Sequence, residues 1–433
     1  MAVAELNDAH YIQPEQLCIG LYVHLDLSWT QHPFTFSSFR IRNQGQIDTL
    51  RSLGLTRIRY IPEKSEAEPL PPVPQAAQTH ATDTSAVATA PAQSAADQAD
   101  VLMRRVHLEK LAMQRARASA CEQALVAATR TIRSINQHVF SMPGDVRRSS
   151  TDLVYSMVEL LLVDADVSIQ LMADRIGGDE VYSHALNVTL LSMMVAKEMQ
   201  APPEVIRTVG LGALFHDIGE LELPAALLRK HDGLTSAEVR LKQMHCEYGV
   251  QIARKLELPA GILPIILQHH ERLDGSGYPS GLTGAQMSLA SRIVALVNAY
   301  DELCNPSDPN QAMTPHEALS LLFSQQSSRF DSKALSTFVR CMGVYPPGTV
   351  VELSDDRLAM VVSVNTSKPL RPVVLVYNPA IPKSEALLLD LEHEPALSVR
   401  KTLRPQQLSP EAHAYLSPRT RTTYYFDSEP QPE

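Results

Sequence analysis

The spacing of apolar residues divides the chain into segments with different predicted structures. Every second residue from Leu21 to Leu27 is apolar, which is the period of a half-buried strand. Residues 46–53 then have the pattern of a short helix, and residues 57–61 that of another strand. We therefore predict a small α+β domain over residues 1–62.

The next two segments differ sharply in their content of large apolar residues. Residues 63–100 are mostly Ala, Pro, Gln, Ser and Thr and contain no Phe, Tyr or Trp. Such a segment buries too little apolar surface to offset its chain entropy, so we predict a flexible linker. Residues 101–148 open on a long run without Gly or Pro, which predicts a helical connector. A dimerising helix and a helix packed on its own domain both fit this pattern.

Helical periodicity dominates residues 149–345, and the pattern changes after that. Glycines and prolines interrupt it, for example at Gly177–Gly178, so that helices of ordinary length remain between the breaks. This predicts an all-α bundle. Residues 346–433 contain three short apolar runs and a polar tail, which predict a small antiparallel β unit. The predicted fold class is therefore mainly α, with a small α+β domain before the bundle and a small β unit after it.

Composition narrows the class of protein. The 433 residues carry a formal net charge of −10, which argues against a broad cationic surface for duplex nucleic acid. The 5 cysteines form no CxxC pair, which suits a reducing compartment and excludes a thiolate zinc module. The sequence has neither a basic and apolar leader nor an apolar run of about 18 residues. We therefore expect a cytoplasmic protein without membrane insertion.

The candidate chemistry lies in the bundle, where side chains of metal-ligand type fall on five successive predicted helices. A lone histidine on such a helix is more often a core or surface residue than a ligand. Five histidines and three carboxylates together are a set that a binuclear or trinuclear site in a helical bundle uses. Donors of nitrogen and oxygen without thiolate favour iron or manganese, with zinc and nickel as alternatives. The predicted ligands of two or three divalent ions are Glu180, His184, His216, Asp217, His245, His269, His270 and Asp301.

Two motifs within this set resemble a known family. The string His216-Asp217-Ile218-Gly219 and the stretch HHERLDGSGYP at residues 269–279 resemble the HD-GYP subgroup of the HD phosphohydrolases, bacterial phosphodiesterases that degrade cyclic di-GMP. The resemblance implies an HD-type bundle over residues 149–345 and metal-ligand roles for the residues above, with Glu180 as the extra carboxylate of trinuclear members. The N-terminal segment is similar to a domain of unknown function that is often fused to HD-GYP domains.

The resemblance also implies a reaction. We expect metal-dependent hydrolysis of cyclic di-GMP to pGpG in bacterial second-messenger signalling, with GMP left open as a further product. A hydroxide that bridges the metals is expected to attack phosphorus, with His216 and Asp217 as the catalytic residues and Asp217 between the metals. The expected substrate contacts come from the loop that follows the paired histidines, at Arg272, Asp274, Gly277, Tyr278 and Pro279.

Three positions depart from the family pattern. The family usually has lysine directly after the HD-x-Gly motif, where this chain has Glu220. Two arginines usual in a later loop are replaced by Ser307 and Asn310. An acidic side chain near a substrate phosphate is repulsive, so Arg272, Lys230 and Arg292 are candidate sources of the missing positive charge. The alternatives are a catalytically weak or silent receptor or scaffold that binds cyclic di-GMP or a partner protein, and a hydrolase of another nucleotide. A homodimer and a signalling-protein partner also stay open.

Overall fold

A computed structural model gives the fold of residues 10–25, 38–53, 55, 57–71, 95–163, 168–171, 180–230, 233–364, 368–418 and 422–427. Most of the predicted linker and the predicted break at Gly177–Gly178 lie outside these described residues. The chain divides into two compact units, Met1–Leu108 and Glu109–Glu433.

The first unit contains a four-stranded antiparallel sheet in the order β1-β4-β2-β3 and one helix. Its elements are β1 (His10–Ile12), β2 (Tyr22–His24), β3 (Ser38–Arg40), α1 (Gln44–Ser52) and β4 (Ile58–Tyr60). Asn43 caps α1, because its side chain accepts a hydrogen bond from the backbone N–H of Gln46. Leu21, Val23 and Leu50 lie in the buried core between the sheet and the helix. The sheet and the helix confirm the α+β part of the predicted fold class, and the domain bounds 1–62 stay a prediction.

A long helix, α2 (Ala95–His138), leads into the second unit. It begins six residues before the predicted connector, inside the segment predicted to be a flexible linker, and the alanines in residues 95–100 favour helix there. From Glu109 onward, α2 buries one face at Leu125, Ala128 and Ile132 in the core of the second unit. This burial favours a helix packed on its own domain over a dimerising helix.

Helices surrounding one hydrophobic core make up most of the second unit. They are α3 (Pro143–Val163), α4 (Glu180–Glu198), α5 (Pro203–Leu214), α6 (Ala225–Leu228), α7 (Ser236–Gln243), α8 (His245–Lys255), α9 (Leu263–Gln268), α10 (Leu289–Cys304), α11 (Pro315–Ser324) and α12 (Ser332–Met342). Ser288, Thr314 and Asp331 cap α10, α11 and α12, as each side chain accepts a hydrogen bond from a backbone N–H of the first turn. The predicted mainly helical fold class is confirmed.

The C-terminal strands extend into this bundle, which corrects the prediction that residues 149–345 are all helical. The strands are β5 (Ser168–Leu171), β6 (Val350–Leu353), β7 (Leu358–Ser363), β8 (Val373–Val376), β9 (Leu388–Asp390), β10 (Val399–Leu403) and β11 (Tyr424–Asp427), with α13 (Pro410–Leu416) before the last strand. They form one sheet in the order β10-β6-β7-β5-β11, and β8 and β9 branch from β7. Because β5 is short and pairs only with strands distant in the sequence, residues 168–171 alone give little indication of a strand.

A close backbone approach brings two bundle segments together at Gly219. The 3-10 turn Ile218–Glu222 lies against the start of α8, and a Cβ atom on Gly219 would be less than 3.0 Å from the carbonyl oxygen of His245 and from the nitrogen of Gly249. Both obstacles are backbone atoms, which cannot rotate away. Only glycine at position 219 therefore allows Asp217 to lie beside the helix that begins with His245.

We predict that Gly219→Ala lowers the free energy of unfolding by about 3 kcal/mol or more, because backbone must move to admit the methyl group. Gly144→Ala is the matched control, since Gly144 lies in the first turn of α3 with nothing within 4 Å of its added Cβ. Its stability should stay unchanged or rise by less than about 1 kcal/mol. Urea denaturation monitored by circular dichroism measures both, and equal stabilities for the two variants would contradict the close approach.

Candidate metal centre

The predicted ligands come together at helix ends rather than in the middle of helices. His184 lies one turn into α4, and His216 and Asp217 lie in the turn that begins with Phe215 after α5. His245 is the first residue of α8, and His269–His270 follow α9. Their nitrogen and oxygen atoms form two groups that share Asp217 and are each compact enough to hold a metal ion: Asp217 with His245, His269 and His270, and Asp217 with His184 and His216.

The carboxylate of Asp217 lies between two pairs of imidazoles. Its Oδ2 atom is 3.4 Å from Nε2 of His184 and 3.1 Å from Nε2 of His216. Its Oδ1 atom is 3.4 Å from Nε2 of His245 and 3.3 Å from Nε2 of His269. Within each pair the two Nε2 atoms are 3.1 Å apart. One oxygen facing each pair is the arrangement of a carboxylate that bridges two metal ions.

Three of these histidines are oriented by the same hydrogen bond. Each places Nδ1 against the backbone carbonyl oxygen of the residue three positions earlier, in the last turn of a helix: His216 to Ala213 at 2.6 Å, His245 to Lys242 at 2.7 Å, and His269 to Ile266 at 2.7 Å. A carbonyl oxygen only accepts, so Nδ1 carries a hydrogen and Nε2 is the nitrogen that faces the centre and can bind a metal ion there. This donor set fits divalent metal ions.

The charges in the centre compensate one another only in part. Burial would raise the pKa of Asp217, but the charge of His216 and hydrogen bonds from neighbouring imidazoles hold that pKa well below its usual value. Burial would lower the pKa of His245, but its hydrogen bonds, above all that to Asp217, raise it to about 11. Burial lowers the pKa of His269 to about 4 and, together with the charge of His269, holds that of His270 well below its usual value. The centre thus joins an ionised carboxylate to neutral imidazoles at His269 and His270 and to a protonated imidazole at His245, whose proton a bound metal ion would displace.

Asp301 lies behind His184 and is completely buried. Its Oδ2 atom is 2.7 Å from Nδ1 of His184, and its Oδ1 atom accepts hydrogen bonds from Nδ2 of Asn187 at 2.7 Å and of Asn305 at 3.0 Å. The structure therefore places Asp301 where it orients His184, and its role as a ligand stays a prediction. The side chain of Glu180, the first residue of α4, lies outside the described residues.

The loop after the paired histidines covers one side of the centre. The ring of Tyr278 stacks on that of His270, with centroids 4.5 Å apart and an interplanar angle of 20°. A Cβ atom on Gly277 would overlap the backbone of residues 270–272, so glycine allows the loop to fold back this closely. Glu271 is 1% exposed and accepts hydrogen bonds from the backbone N–H groups of Ser280 at 2.7 Å and Leu282 at 2.9 Å.

The predicted substrate residues of this loop differ in their contacts. Asp274 accepts hydrogen bonds from the backbone N–H and the hydroxyl of Ser276, so its carboxylate stabilises the loop itself. The guanidinium of Arg272 lies 5.1 Å from the ring centre of Phe330, and Pro279 follows Tyr278 in the loop. Substrate contacts by any of these residues stay predictions.

The departures from the family pattern also have places in the structure. Burial, and then the charge of Asp217, raises the pKa of Glu220 to about 7, so this side chain lies in the field of the centre. Ser307 and Asn310 lie in the exposed turn after α10. Of the candidate replacement cations, Lys230 binds Glu238 at 2.8 Å and Arg292 binds Asp331 at 3.1 Å.

Sequence reasoning missed Glu271, Asn187 and Asn305. Glu271 directly follows the paired histidines, which is a local signal that it belongs to the site. Asn187 lies three residues after His184 on the same face of α4, and Asn305 lies four residues after Asp301, directly after the end of α10. This spacing was the available signal, but asparagine at helical spacing is too common to be diagnostic.

Comparison with known families agrees with this geometry. Residues 158–334 match an HD domain, residues 10–149 match a domain of unknown function called DUF3391, and residues 350–410 match a KOW domain associated with HD domains. The chain therefore contains a region that matches an HD domain and, before it, a region that matches DUF3391, which confirms the resemblance indicated by the sequence motifs. The KOW match covers residues 350–410 of the C-terminal β unit, to which the sequence motifs assigned no family.

Individual relatives narrow the class further. The chain is 28% identical over 365 residues to a cyclic di-GMP phosphodiesterase of Pseudomonas aeruginosa, which covers 84% of this chain and 83% of that protein. It is 33% identical over 150 residues to a cyclic di-GMP phosphodiesterase response regulator of Xanthomonas campestris, covering 34% and 39% of the two chains. A 3′3′-cGAMP-specific phosphodiesterase of Vibrio cholerae is 31% identical over 160 residues, or 37% of each chain.

Across the described part of the chain, no helix combines the length and the apolar character that a membrane crossing requires.

We predict that Glu271→Gln loosens the loop, because an amide side chain offers one acceptor oxygen where the carboxylate offers two. Hydrogen exchange should become faster at the backbone amide of Ser280 or Leu282, and the free energy of unfolding should fall by about 1–3 kcal/mol. Glu159→Gln, at an exposed position of α3, is the control. Unchanged exchange at both loop amides would show that Glu271 does not hold the loop.

Proposed function

We propose that this chain is a metal-dependent phosphodiesterase that hydrolyses cyclic di-GMP to pGpG. The observation that carries the proposal is the carboxylate of Asp217 between two pairs of imidazole nitrogens, with Nε2 of each histidine facing it at 3.1–3.4 Å. The relative from Pseudomonas aeruginosa, which matches over 84% of this chain, supports cyclic di-GMP as the substrate.

The residues of the centre favour iron or manganese. The donors in the described part of the centre are imidazole nitrogens and carboxylate oxygens, and the nearby thiol of Cys246 has its pKa raised by burial, which disfavours the thiolate needed for coordination. His184 and His216 would hold one ion, and His245, His269 and His270 another, with Asp217 shared between them. When bound, the ions supply the activated nucleophile and the positive charge that phosphodiester hydrolysis needs at neutral pH.

The chain's own residues set the geometry of the reaction. Asp217 and His216 fix the distance between the two halves of the centre. The carbonyl of Ala213 accepts from Nδ1 of His216, which leaves Nε2 of that imidazole facing Asp217. Tyr278 and Gly277 bring the loop over His270, where a base or ribose of the substrate would lie. Arg272 offers positive charge beside the centre, because its charge contributes to the lowered pKa of His270.

A catalytically silent receptor is the less favoured alternative, since every predicted ligand with a described side chain lies in the compact centre or, for Asp301, contacts one of its histidines. A hydrolase of a related cyclic dinucleotide has a specific observation in its favour, the similarity to a 3′3′-cGAMP-specific enzyme over 160 residues. Four further points stay predictions: a second cleavage to GMP, a homodimer, a signalling-protein partner and a cytoplasmic location.

The proposed function predicts that the manganese-loaded or iron-loaded chain converts cyclic di-GMP to pGpG, which chromatography of the products measures. Asp217→Asn keeps the size of the side chain but removes the shared negative charge, so kcat/KM should fall by more than about 100-fold. Glu159→Gln, on the exposed face of α3, should match the wild type.

A panel of cyclic di-GMP, 3′3′-cGAMP and cyclic di-AMP distinguishes the alternatives. If another dinucleotide is turned over faster than cyclic di-GMP, that dinucleotide is the substrate instead. Binding of cyclic di-GMP by calorimetry without turnover, at confirmed metal occupancy, would establish the receptor instead.

We further predict that Glu220 limits the affinity for the anionic substrate. Its carboxyl lies in the field of Asp217, so its negative charge repels a phosphate bound at the centre. Glu220→Gln should lower KM, and Glu220→Lys should lower it further, with kcat/KM rising about threefold to tenfold. Glu222→Gln, an exposed carboxylate two residues away, is the control. An unchanged or higher KM in both Glu220 variants would show that this carboxylate points away from the substrate.

A further inference from the structure

The C-terminal segment contacts the residues that hold Asp301 behind the metal centre. Backbone groups of Thr422 and Tyr424 hydrogen-bond to the same two asparagines that bind Asp301. Residues 422–427 are separated from Asp301 by more than 100 positions in the sequence, and the strand β11 within them is held by antiparallel pairing with β5. The C-terminal segment is thus built into the bundle at the back of the site.

Each asparagine uses both ends of its amide. Asn187 donates from Nδ2 to Asp301 Oδ1 at 2.7 Å and to the carbonyl of Thr422 at 2.8 Å, and its Oδ1 accepts from the backbone N–H of Tyr424 at 3.0 Å. Asn305 donates from Nδ2 to Asp301 Oδ1 and to the carbonyl of Thr422, both at 3.0 Å, and its Oδ1 accepts from the backbone N–H of Thr422 at 2.8 Å.

This pattern determines which way each amide faces. A side-chain amide can rotate so that either its oxygen or its nitrogen points at a neighbour. The N–H groups of Thr422 and Tyr424 require an acceptor, so they hold both Oδ1 atoms towards the C-terminal segment. Both Nδ2 donors then face Asp301. Without the segment, either amide is free to turn its oxygen towards the carboxylate, which is repulsive.

Burial makes these contacts strong. Asn187, Asp301 and Tyr424 are each 0% exposed, and Thr422 is 8% exposed. The hydroxyls of Tyr300 and Tyr424 lie 3.0 Å apart and fasten the segment to α10 one residue before Asp301. In such surroundings the hydrogen bonds of a carboxylate are poorly replaced by water, so losing their donors changes its position or its charge.

We propose that residues 422–427 are a positioning segment of the metal centre. By orienting Asn187 and Asn305, the segment fixes Asp301, and Asp301 in turn holds His184 through the 2.7 Å contact with Nδ1. Partners of metal-bound histidines typically contribute 10–100-fold to metal affinity, so the segment controls the affinity of the centre for its ions. This inference rests on the proposed metal centre but not on the identity of the nucleotide.

A double-mutant cycle on metal affinity tests the proposal. Mn²⁺ binding is measured by calorimetry for the wild type, for Asn305→Ala, for a chain that ends at Ser417, and for that shorter chain with Asn305→Ala. Asn305→Ala and the truncation should each weaken binding by about 10-fold or more. In the shorter chain, Asn305→Ala should add less than about 2-fold, because the segment that orients the amide is already absent. Asn378→Ala, whose amide caps a turn of the β unit, is the control and should bind as the wild type does.

The other outcomes identify what is wrong. Equal effects of Asn305→Ala in both backgrounds, or unchanged affinity on truncation, would overturn the positioning role. A wild-type chain that binds no Mn²⁺ would overturn the metal centre itself, whereas one that binds Mn²⁺ but leaves cyclic di-GMP intact would overturn only the proposed function.

Melting of the metal-free chains checks that they fold. If the shorter chain does not fold, Thr422→Pro in the full chain replaces it, since proline removes the N–H that Asn305 accepts and keeps the carbonyl oxygen of residue 422. Unchanged Mn²⁺ affinity in that variant would likewise overturn the proposal.

Discussion

A charged carboxylate inside a helical bundle is the constraint on which the rest of this unit depends. Asp217 is ionised although its side chain is only 24% exposed, and a carboxylate with so little water around it needs partners that compensate its charge. Four imidazole nitrogens within 3.1–3.4 Å provide them, and they come from the ends of four helices. The helices must therefore converge on one point, and the contact between Gly219 and the backbone of His245 is the closest part of that convergence.

The use of helix ends solves two problems with the same atoms. The last-turn carbonyls of an α-helix lack an amide partner four residues ahead, so each needs another donor. Ala213, Lys242 and Ile266 offer such carbonyls, and the imidazoles that follow them donate from Nδ1. The helix end thereby gains a hydrogen bond, and the histidine gains a fixed orientation with Nε2 facing the centre. In the middle of a helix, the nearby carbonyl oxygens already accept backbone hydrogen bonds, so a histidine there has no such carbonyl within reach.

These features decide what can be predicted from sequence. The ligand-bearing positions were identifiable because a histidine or aspartate that follows an apolar run, as His216–Asp217 and His269–His270 do, is a local pattern. The small α+β domain was predictable for the same reason, since strand alternation and a capped helix are local. The contact of β5 with β11 and the bonds of Asn187 to Thr422 and Tyr424 join residues more than 200 positions apart, and no local pattern encodes such pairings. The start of α2 was missed because an alanine-rich segment has the composition of a linker and the propensity of a helix.

The charge of the chain connects the metal centre to the substrate. The net charge is −10, and Glu220 lies in the field of Asp217. Lys230 and Arg292 each bind another carboxylate. Among the described cations near the centre, Arg272 is therefore the main source of attraction for a dianionic nucleotide. Bound metal ions reverse the sign of the potential locally, so substrate affinity in this chain depends on metal occupancy more than it would with the family's lysine and arginines in place. Any contact that changes metal affinity, including those that position Asp301 from the C-terminal segment, therefore changes substrate affinity in the same direction.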